Sequence, residues 1–475
     1  MTQKNVRVKI NEMKTNVGLI KNLELSIGKV VTDNWDEPMG PTPMPHITTL
    51  RDWDMMLLNK YKPFYMPDCD LCCLCTYGKC DLTAGKRGAC GLNIADQSSR
   101  IVLIACCIGA ATHNGHARHV VDHLIEKYGR RYPLDVGGLN VKVEAPVTRL
   151  VTGVKPETLG DLDDVLTYCE SQITHLVSAA HTGQESSNLD FESKAFHAGR
   201  IDQVGMEIAD LAQISVFNFP KADPEAPLIQ MGIGTVDQSK PVIMCIGHNV
   251  VPSVGIIDYM KDHKLDDKME VVGLCCTAID NTRYFDRAKI VGPISWELRF
   301  IRGGYADVVV LDEQCVRTDA SLEAERVKAP VIAASEKNCI GYKNRTNDPA
   351  DQIVDDLVSG KVPGVLILDP EKVGEVAVRV AQKVAPIRKK IQSLPALDQI
   401  KELAKKCRQC NLCQRSCPQD LAIAPALKAA SEGDYSKLAD LYEECIGCGR
   451  CEEACPVKLE IHSFILKVGE KKMVE

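Results

Sequence analysis

Residues 240–261, KPVIMCIGHNVVPSVGIIDYMK, contain the pattern that decides the fold of this chain. The apolar run KPVIMCIG ends at a glycine, and apolar residues then recur at helical spacing between Val254 and Lys261. A short continuous apolar run is typical of a parallel strand buried on both faces, and a helix returns the chain for the next strand. The segment therefore predicts one strand–helix unit of an α/β domain.

Five further apolar runs of this kind occur, separated by stretches with helical periodicity such as Pro370 to Lys390. They are THLVSAA (174–180), MEVVGLC (269–275), ADVVVLD (306–312), APVIAAS (329–335) and VPGVLILD (362–369). Strands that alternate with helices predict a parallel sheet with helices on both faces. We therefore predict an α/β fold class with a Rossmann-like, doubly wound domain over residues 151–395.

Three residues that can bind metals stand just after predicted strand ends: His248, Cys276 and Cys315. Open α/β sheets bind ligands outside the carboxyl ends of their strands, so we expect the three side chains to converge there. Thiolate and imidazole together suit nickel and iron, and Cys275 is a candidate supporting thiol beside them. Taken singly, each cysteine is more often an inert core residue. The metal-site hypothesis therefore depends on the three together.

The C-terminal region carries two cysteine quartets with identical spacing, C-x2-C-x2-C-x3-C-P. This is the ligand run of two-cluster ferredoxins, in which the fourth cysteine binds the other cluster. A zinc site would use two pairs of ligands rather than two full quartets. The predicted ligand sets are Cys407, Cys410, Cys413 and Cys455 for ferredoxin cluster 1, and Cys417, Cys445, Cys448 and Cys451 for ferredoxin cluster 2. Because the stretch between the quartets has helical periodicity, we predict a helical two-cluster [4Fe–4S] ferredoxin domain over residues 396–475.

Six more cysteines are concentrated in residues 69–90: Cys69, Cys72, Cys73, Cys75, Cys80 and Cys90. One [4Fe–4S] cluster needs four ligands, so two cysteines remain as half of a second set. The same residues of a symmetry mate would complete that set, which predicts a homodimer with a cluster on its two-fold axis. Spacing alone allows several partitions of the six, and a redox or zinc loop is the alternative interpretation.

Four histidines follow in the stretch HNGHARHVVDH: His113, His116, His119 and His123. On a helix their spacing places them within about a 120° arc, on one face. Histidine titrates near neutral pH, which suits a proton relay. The alternative is a solvated polar face. We expect residues 1–150 to form a largely helical region that contains the cysteine loop and this histidine helix.

Composition limits the classes of protein to which the chain can belong. Its 475 residues with a net charge of −7 argue against nucleic acid as a partner. No apolar signal-peptide core follows the N-terminus, and the longest strongly apolar stretch, Ile101 to Ala111, is too short to span a bilayer. We therefore expect a cytoplasmic protein without a membrane span, in which 22 cysteines indicate metal clusters rather than disulfides. The remaining cysteines are expected to be packing residues: Cys106, Cys107, Cys169, Cys245 and Cys339.

The cysteine loop, followed by His113 at 23 residues after Cys90, resembles that of the nickel–iron carbon monoxide dehydrogenases. The additional ferredoxin quartets make the chain most similar to the archaeal alpha subunits of acetyl-CoA decarbonylase/synthase complexes. The resemblance implies that Cys69 and Cys73 bind the dimer-shared cluster, whereas Cys72, Cys75, Cys80 and Cys90 bind an internal one. It also implies three [4Fe–4S] clusters per chain besides the shared cluster.

The resemblance further implies reversible oxidation of CO with water to CO2, two protons and two electrons. His113 would contact the carbon substrate, with His116, His119 and His123 carrying protons away. Ferredoxin would receive the electrons, and a small epsilon subunit would be a partner within a complex that cleaves or makes acetyl-CoA. Two alternatives are a non-catalytic multi-cluster electron-transfer subunit and a subunit of another iron–sulfur oxidoreductase.

One feature departs from the resembled family. There, the nickel cluster takes three further cysteines and a catalytic lysine from a C-terminal α/β domain, whereas here no cysteine follows Cys455. His248, Cys276 and Cys315 would then supply only part of a Ni–4Fe–4S ligand set. We therefore expect an incomplete nickel site in this chain.

Overall fold

The computed structural model of the chain describes residues 4–15, 18–30, 69–134, 145–181, 187–219, 228–337, 341–388 and 393–469. The chain divides into two compact units. One unit comprises Met1–Ala111 with Cys169–Gln203, and the other comprises Thr112–Tyr168 with Val204–Glu475. Each unit is therefore built from two separate stretches of the sequence.

The first unit begins with an antiparallel hairpin of β1 (Lys4–Thr15) and β2 (Gly18–Val30). Apolar and polar residues alternate along both strands, as in VRVKI and LELSI, and this period of two is the strand pattern. The prediction of a largely helical N-terminal region is therefore wrong for these residues. A second, very short hairpin of β3 (Leu71–Cys72) and β4 (Cys80–Asp81) pairs Cys72 with Cys80.

Three long helices contribute residues to both units: α1 (Ile94–Tyr128), α3 (Leu159–Ala179) and α4 (Asn188–Val216). In the first unit, Leu103, Leu176 and Phe191 form a buried core with their neighbours. The 35-residue helix α1 is the one described helix whose length and composition would suit a membrane span. Core helices of soluble proteins share these properties, and 44% of its apolar window is buried.

The predicted strand at 174–180 is wrong, because these residues are the end of helix α3 and the residues just after it. Buried residues of α3 recur at helical spacing from Leu159 through Leu162 and Leu166. A short apolar run alone cannot distinguish a strand from a buried turn of helix. Here the run continues the helical periodicity of the residues before it, so it forms the end of helix α3 rather than a strand.

The second unit contains a seven-stranded parallel sheet. Its strands are β5 (Gln230–Met231), β6 (Val242–Ile246), β7 (Glu270–Leu274), β8 (Lys289–Gly292), β9 (Val308–Leu311), β10 (Val331–Ala333) and β11 (Gly364–Leu366). Their spatial order is β11-β10-β9-β6-β7-β8-β5. The chain proceeds outward from β6 to β8 and then returns to place β9 on the other side of β6. This is the doubly wound order, whose topological switch point lies between β6 and β9.

Helices cover both faces of the sheet because alternate strand residues point to opposite sides. The helices of this region are α2 (Pro146–Thr152), α5 (Val251–Asp262), α6 (Cys276–Tyr284), α7 (Glu297–Arg302), α8 (Ala320–Arg326), α9 (Ala350–Val358) and α10 (Pro370–Arg388). Ile243, Cys245 and Val271 pack in one core with helices α5, α9 and α10. Val242, Met244 and Val272 pack in another with α7 and α8.

Helices α5 and α10 cross at two glycines. A Cβ atom on Gly255 would lie 2.2 Å from the carbonyl oxygen of Pro370, and one on Gly374 would lie 2.1 Å from that of Gly255. Only glycine allows the two backbones to approach so closely. The five predicted strands at 240–247, 269–275, 306–312, 329–335 and 362–369 are confirmed, and β5 and β8 are additional strands too short or polar to predict.

Six short helices form the C-terminal region: α11 (Leu397–Ala404), α12 (Leu412–Arg415), α13 (Ile423–Glu432), α14 (Ser436–Glu444), α15 (Arg450–Glu453) and α16 (Ile461–Gly469). Ile400, Leu427 and Phe464 lie in its buried core together with several quartet cysteines. Arg302 of α7 donates to both carboxylate oxygens of Glu452, at 2.8 and 2.7 Å, and so ties the α/β domain to α15. This region is helical, as predicted.

Candidate metal and redox sites

Three neighbouring strands of the second unit carry the predicted metal ligands at their carboxyl ends. His248 lies two residues after β6, Cys276 follows β7, and Cys315 follows β9. These strands flank the topological switch point of the sheet, where a crevice forms in doubly wound folds. A Cβ on Gly247 (φ 136°) would collide with Asp312, so only glycine fits the turn that presents His248.

Asp312 holds the three loops together. Its carboxylate accepts hydrogen bonds from the backbone N–H of His248 (2.6 Å) and of Asn249 (3.2 Å), and from the hydroxyl of Thr277 (2.6 Å). Burial raises the pKa of Asp312 to about 8, although these hydrogen bonds act in the opposite direction. The anchor fixes the backbone on which the candidate ligands stand.

The candidate ligands interact with one another. Burial opposes protonation of His248, but hydrogen bonds to Cys276 and Cys315 raise its pKa to about 10. Hydrogen bonds from Cys275 and His248 lower the pKa of Cys315 to about 4, whereas the same contact with Cys315 raises the pKa of Cys275. The crevice therefore favours a thiolate at Cys315, which is the form that binds metals.

The donor chemistry of the crevice suits a metal cluster. His248 Nδ1 is buried without a hydrogen-bond partner, and Cys275 and Cys315 adopt left-handed backbone conformations, with φ of 63° and 46°. Within the described residues, no three His, Cys, Asp or Glu side chains converge as a single bound ion would require. A cluster of several metal atoms binds each ligand at a different atom, so the three donors fit part of such a cluster better than a lone ion.

The histidine helix faces this crevice within the second unit. The ring centroids of His113 and His116 lie 5.4 and 6.1 Å from that of His248. His116 is buried, and His113, His119 and His123 are partly buried. The burial of all four disfavours the alternative of a solvated polar face.

Glu313 is a site residue that the sequence did not reveal. Its buried carboxylate lies 2.9 Å from His119 Nδ1, 3.5 Å from His116 Nδ1 and 2.7 Å from the ammonium of Lys337. Burial alone would raise its pKa, but the contacts with His116, His119 and Lys337 hold that pKa well below its usual range. The only available signal was an acidic residue in the loop that carries Cys315.

The other ring nitrogen of His119, Nε2, lies 2.8 Å from the carboxylate of Glu336, whose side chain is 59% exposed. The hydrogen bond to Glu313 raises the pKa of His119, and burial only partly offsets it. Burial instead lowers the pKa of His123. The two histidines at the outer end of the series therefore favour opposite protonation states.

The loop after β9 contacts three different features within a few residues. Glu313 contacts the histidines, Cys315 belongs to the crevice, and Arg317 donates to the carbonyl oxygen of Cys448 at 3.4 Å. The backbone N–H of Arg317 also donates to Glu297 (2.9 Å). We refer to residues 313–317 as the junction loop.

In the ferredoxin region, the structure brings together the four cysteines assigned to ferredoxin cluster 1. Cys407, Cys410, Cys413 and Cys455 line one small cavity. Gln409 donates to the sulfur of Cys407 at 3.3 Å, and the backbone N–H of Leu459 donates to that of Cys455 at 3.4 Å. The fourth cysteine thus comes from the second sequence run.

The four cysteines assigned to ferredoxin cluster 2 are also neighbours. Burial raises the pKa of Cys445, and Cys448 and Cys417 contribute to the increase. Burial, Glu452, Cys445 and Cys448 raise the pKa of Cys451, and Cys413 of the cluster 1 set contributes as well. Cys445 therefore has Cys417, Cys448 and Cys451 as electrostatic neighbours, which fits the four thiolates that one cluster requires.

In the first unit, one small cavity is lined by Cys72, Cys75, Cys80 and Cys90, the same four residues that were assigned to the internal cluster. Cys73 is exposed, whereas Cys69 is 3% exposed. The cysteines expected to be packing residues, Cys107, Cys169 and Cys245, are buried, and Cys106 is partly buried. Cys339 lies outside the described residues.

A family model described as the Prismane/CO dehydrogenase family matches residues 70–135 and 139–421. The chain belongs to this family. A second model, described as a 4Fe-4S dicluster domain, matches residues 399–456, so this member of the Prismane/CO dehydrogenase family also contains that domain. The predictions of the family and of an iron–sulfur dicluster domain are therefore confirmed.

Relatives of this family member are named acetyl-CoA decarbonylase/synthase complex subunit alpha. The protein from Methanothermobacter thermautotrophicus is 54% identical over 435 residues, which are 91% of this chain and 56% of that protein. The protein from Methanocaldococcus jannaschii is 55% identical over 470 residues, 98% of this chain and 60% of that protein. The chain thus spans less than two thirds of the length of these relatives.

Two solved structures share its fold. One, described as containing NiZn[Fe4S4] and NiNi[Fe4S4] clusters in alpha subunits of acetyl-CoA synthase/carbon monoxide dehydrogenase, has a TM-score of 0.52 at 16% identity and covers 85% of this chain and 70% of that one. The other, a Ni-free carbon monoxide dehydrogenase from Thermococcus sp. AM4, has a TM-score of 0.51 at 19% identity and covers 84% and 78%. At such low identity the likeness shows the fold alone.

Proposed function

We propose that this chain is a carbon monoxide dehydrogenase component of an acetyl-CoA decarbonylase/synthase complex. The reaction is CO + H2O ⇌ CO2 + 2 H⁺ + 2 e⁻. The observation that carries the proposal is the crevice at the switch point, where His248, Cys276 and Cys315 lie beside His113 and His116. A pure electron carrier needs neither these donors nor the histidines.

His248, Cys276 and Cys315 would hold one side of a nickel–iron–sulfur cluster. When bound, such a cluster supplies the site where CO and water react and where the two electrons are collected. Asp312 keeps the backbone of His248 in place through two hydrogen bonds. Cys275 lies within hydrogen-bonding reach of Cys315 and supports it as a thiolate.

The protons leave by a path of side chains within the second unit. His113 and His116 lie nearest the crevice, and His116 reaches Glu313 at 3.5 Å. Glu313 contacts His119 at 2.9 Å, and His119 contacts Glu336 at 2.8 Å. Because Glu336 is exposed whereas His123 has a lowered pKa, the path reaches solvent through Glu336. His123 then serves only as a secondary acceptor.

The electrons pass to [4Fe–4S] clusters. Cys72, Cys75, Cys80 and Cys90 would bind the internal cluster, and the two ferredoxin sets would bind clusters 1 and 2. Cys69 and Cys73, together with the same residues of a second copy, would bind a cluster shared in a homodimer. Ferredoxin in the cytoplasm is the proposed acceptor, and an epsilon subunit is a proposed partner in the complex.

Because His248, Cys276 and Cys315 are only part of a nickel-cluster ligand set, metal analysis and a CO assay on the protein isolated anaerobically within its complex test this proposal. We expect about 18 iron atoms per chain, with about 12 from the three [4Fe–4S] clusters, about two from half of the shared one and about four from the nickel–iron–sulfur cluster, plus nickel and CO-dependent viologen reduction. His248→Ala and Cys315→Ala should lose nickel and activity but retain the iron of the [4Fe–4S] clusters. Cys169→Ala, at a buried cysteine of helix α3 in the first unit, is the matched control. Full iron without nickel or CO-dependent reduction would instead establish the electron-transfer alternative.

A further inference from the structure

The surroundings of the two ferredoxin ligand sets differ in charge. The cysteines of cluster 1 receive hydrogen bonds from neutral groups, the amide of Gln409 and the backbone N–H of Leu459. Arg408 also lines the cluster 1 cavity, but it is exposed, so water screens its charge. The cluster 2 set instead has a buried arginine and a buried histidine as neighbours, and its acidic neighbour Glu452 is paired with Arg302.

Arg299 is the buried cation. It is 3% exposed, and its guanidinium donates to the carbonyl oxygens of Tyr442 (2.8 Å) and Cys445 (2.6 Å). The guanidinium also stacks on the rings of Trp296 and Tyr442. Among the described residues, no carboxylate forms an ion pair with Arg299, and its Nε has no hydrogen-bond partner.

A buried charge without a counter-ion is strongly unfavourable, so a buried guanidinium implies an anion nearby. The other arginines of this region have such partners: Arg302 pairs with Glu323 and Glu452, and Arg317 pairs with Asp319. A [4Fe–4S] cluster with four thiolates carries a charge of −2 when oxidised and −3 when reduced. Cluster 2 is therefore the missing counter-ion of Arg299.

His462 is the second buried residue that contacts the cluster 2 ligand set. Its side chain is buried, at 1% exposed, and its Nδ1 lies 3.7 Å from the sulfur of Cys445. A cluster-bound thiolate has no proton to donate, so Nδ1 must carry the hydrogen of this contact. The backbone N–H of His462 donates to Glu452 at 2.8 Å, which fixes the position of the ring relative to the ligand.

Hydrogen bonds to cluster sulfurs and nearby positive charge stabilise the reduced, more negative cluster and raise its reduction potential. We propose that Arg299 and His462 are positioning residues that make cluster 2 the higher-potential cluster of the ferredoxin domain. The first electron to enter the domain then resides on the Cys417, Cys445, Cys448 and Cys451 set. It converts [4Fe–4S]²⁺ to [4Fe–4S]⁺, and no bond forms or breaks. This inference rests on the proposed cluster assignment.

Anaerobic redox titration of the full chain with dithionite, followed by electron paramagnetic resonance, tests the inference. Cys410→Ser and Cys448→Ser assign the signals, because each changes one ligand of one cluster. His462→Leu removes the N–H donor, whereas His462→Asn keeps a donor near the Nδ1 position. We expect His462→Leu to shift the electron distribution between the clusters about tenfold away from cluster 2, about 59 mV for a one-electron couple. His462→Asn should restore most of this shift.

Arg299→Gln keeps amide donors but removes the charge, and it should shift the distribution in the same direction. Gln409→Leu is the matched control, since it should lower the potential of cluster 1 alone. Unchanged potentials in both His462→Leu and Arg299→Gln, at full iron content, would overturn the inference and leave the proposed function intact. Should Arg299→Gln fail to fold, the comparison between His462→Leu and His462→Asn decides the question. Absence of the two ferredoxin clusters from iron analysis would instead reject the cluster assignment itself.

Discussion

Nδ1 of His119 lies 2.9 Å from the buried carboxylate of Glu313, while Nε2 of the same ring lies 2.8 Å from the exposed carboxylate of Glu336. One imidazole thus joins a buried acid to a solvent-facing acid. A proton accepted at one nitrogen releases the proton at the other, which is the geometry of a relay.

The first prediction concerns Glu313. Glu313→Gln removes the negative charge between His116 and His119, so proton transfer out of the crevice should slow. We expect CO-dependent viologen reduction to fall by about 10²-fold, in the range of lost acid–base groups, with iron and nickel content unchanged. Glu336→Gln should reduce this activity less than Glu313→Gln does, because water can replace an exposed proton acceptor. Equal activity in Glu313→Gln and the wild type would show that protons leave by another path.

The second prediction compares the pH dependence of two histidines. The pKa of His119 is raised above its ordinary 6.5, so its stabilising contribution is fully present below pH 6.5 and is lost as the pH rises through the folded-state value. The pKa of His123 is lowered, so its burial is unfavourable at low pH, and this cost disappears as the pH rises to 6.5. His119→Gln and His123→Gln should therefore change the free energy of unfolding with opposite pH slopes.

Anaerobic denaturant unfolding of both variants and the wild type from about pH 5 to about pH 8 measures these slopes. Each variant serves as the control for the other, because both substitutions lie on the same helix. Slopes of the same sign would contradict the assigned protonation states.

The third prediction concerns the attachment of the ferredoxin region. Arg302 is almost fully buried and pairs with Glu323 and Glu452. Arg302→Met leaves two carboxylates without their cation, and we expect a loss of about 3–5 kcal/mol of unfolding free energy. Arg326→Met breaks a more exposed pair with Glu460 and should cost less than about 1 kcal/mol. Denaturant unfolding measures the unfolding free energies of Arg302→Met and Arg326→Met. Similar losses in the two variants would contradict the prediction that the buried ion pairs of Arg302 contribute more stability.

The fourth prediction tests the crossing of helices α5 and α10. Gly255→Ala places a methyl group against the carbonyl oxygen of Pro370 and should destabilise the protein by about 1–3 kcal/mol. Gly199→Ala, in a helix with open space around the added carbon, should instead stabilise it by about 0.5–1 kcal/mol. Midpoints of thermal unfolding measured without oxygen report both changes. An unchanged midpoint in Gly255→Ala would show that helices α5 and α10 can move apart to accommodate the methyl group.

The fifth prediction separates the two cysteine sets of residues 69–90. Cys75→Ala should remove about four iron atoms per chain and leave the dimer intact. Cys73→Ala should remove about two iron atoms per chain and weaken dimerisation. Iron analysis combined with sedimentation measures both, and dimer loss in Cys75→Ala alone would reverse the assignment.

Sequence patterns were sufficient for the parts of the molecule with regular spacing. Five of the six apolar runs correspond to strands of the sheet, and the quartet spacing led to ligand sets that the structure brings together. The run at 174–180 was wrongly predicted as a strand, because a buried turn of helix and a short strand can have the same composition. Glu313 could not be predicted, because its role depends on a contact between the strand-end loop and the histidine helix, far apart in sequence.

The junction loop imposes a constraint on chain length as well as on composition. Glu313, Cys315 and Arg317 each contact a different neighbour, the side-chain amide of Gln314 donates to the carbonyl oxygen of Thr112, and Val316 packs against a buried core. Deleting or inserting one residue would move the thiol out of alignment with the acid on one side or the arginine on the other. Engineering of this protein therefore has to keep the number of residues in this loop.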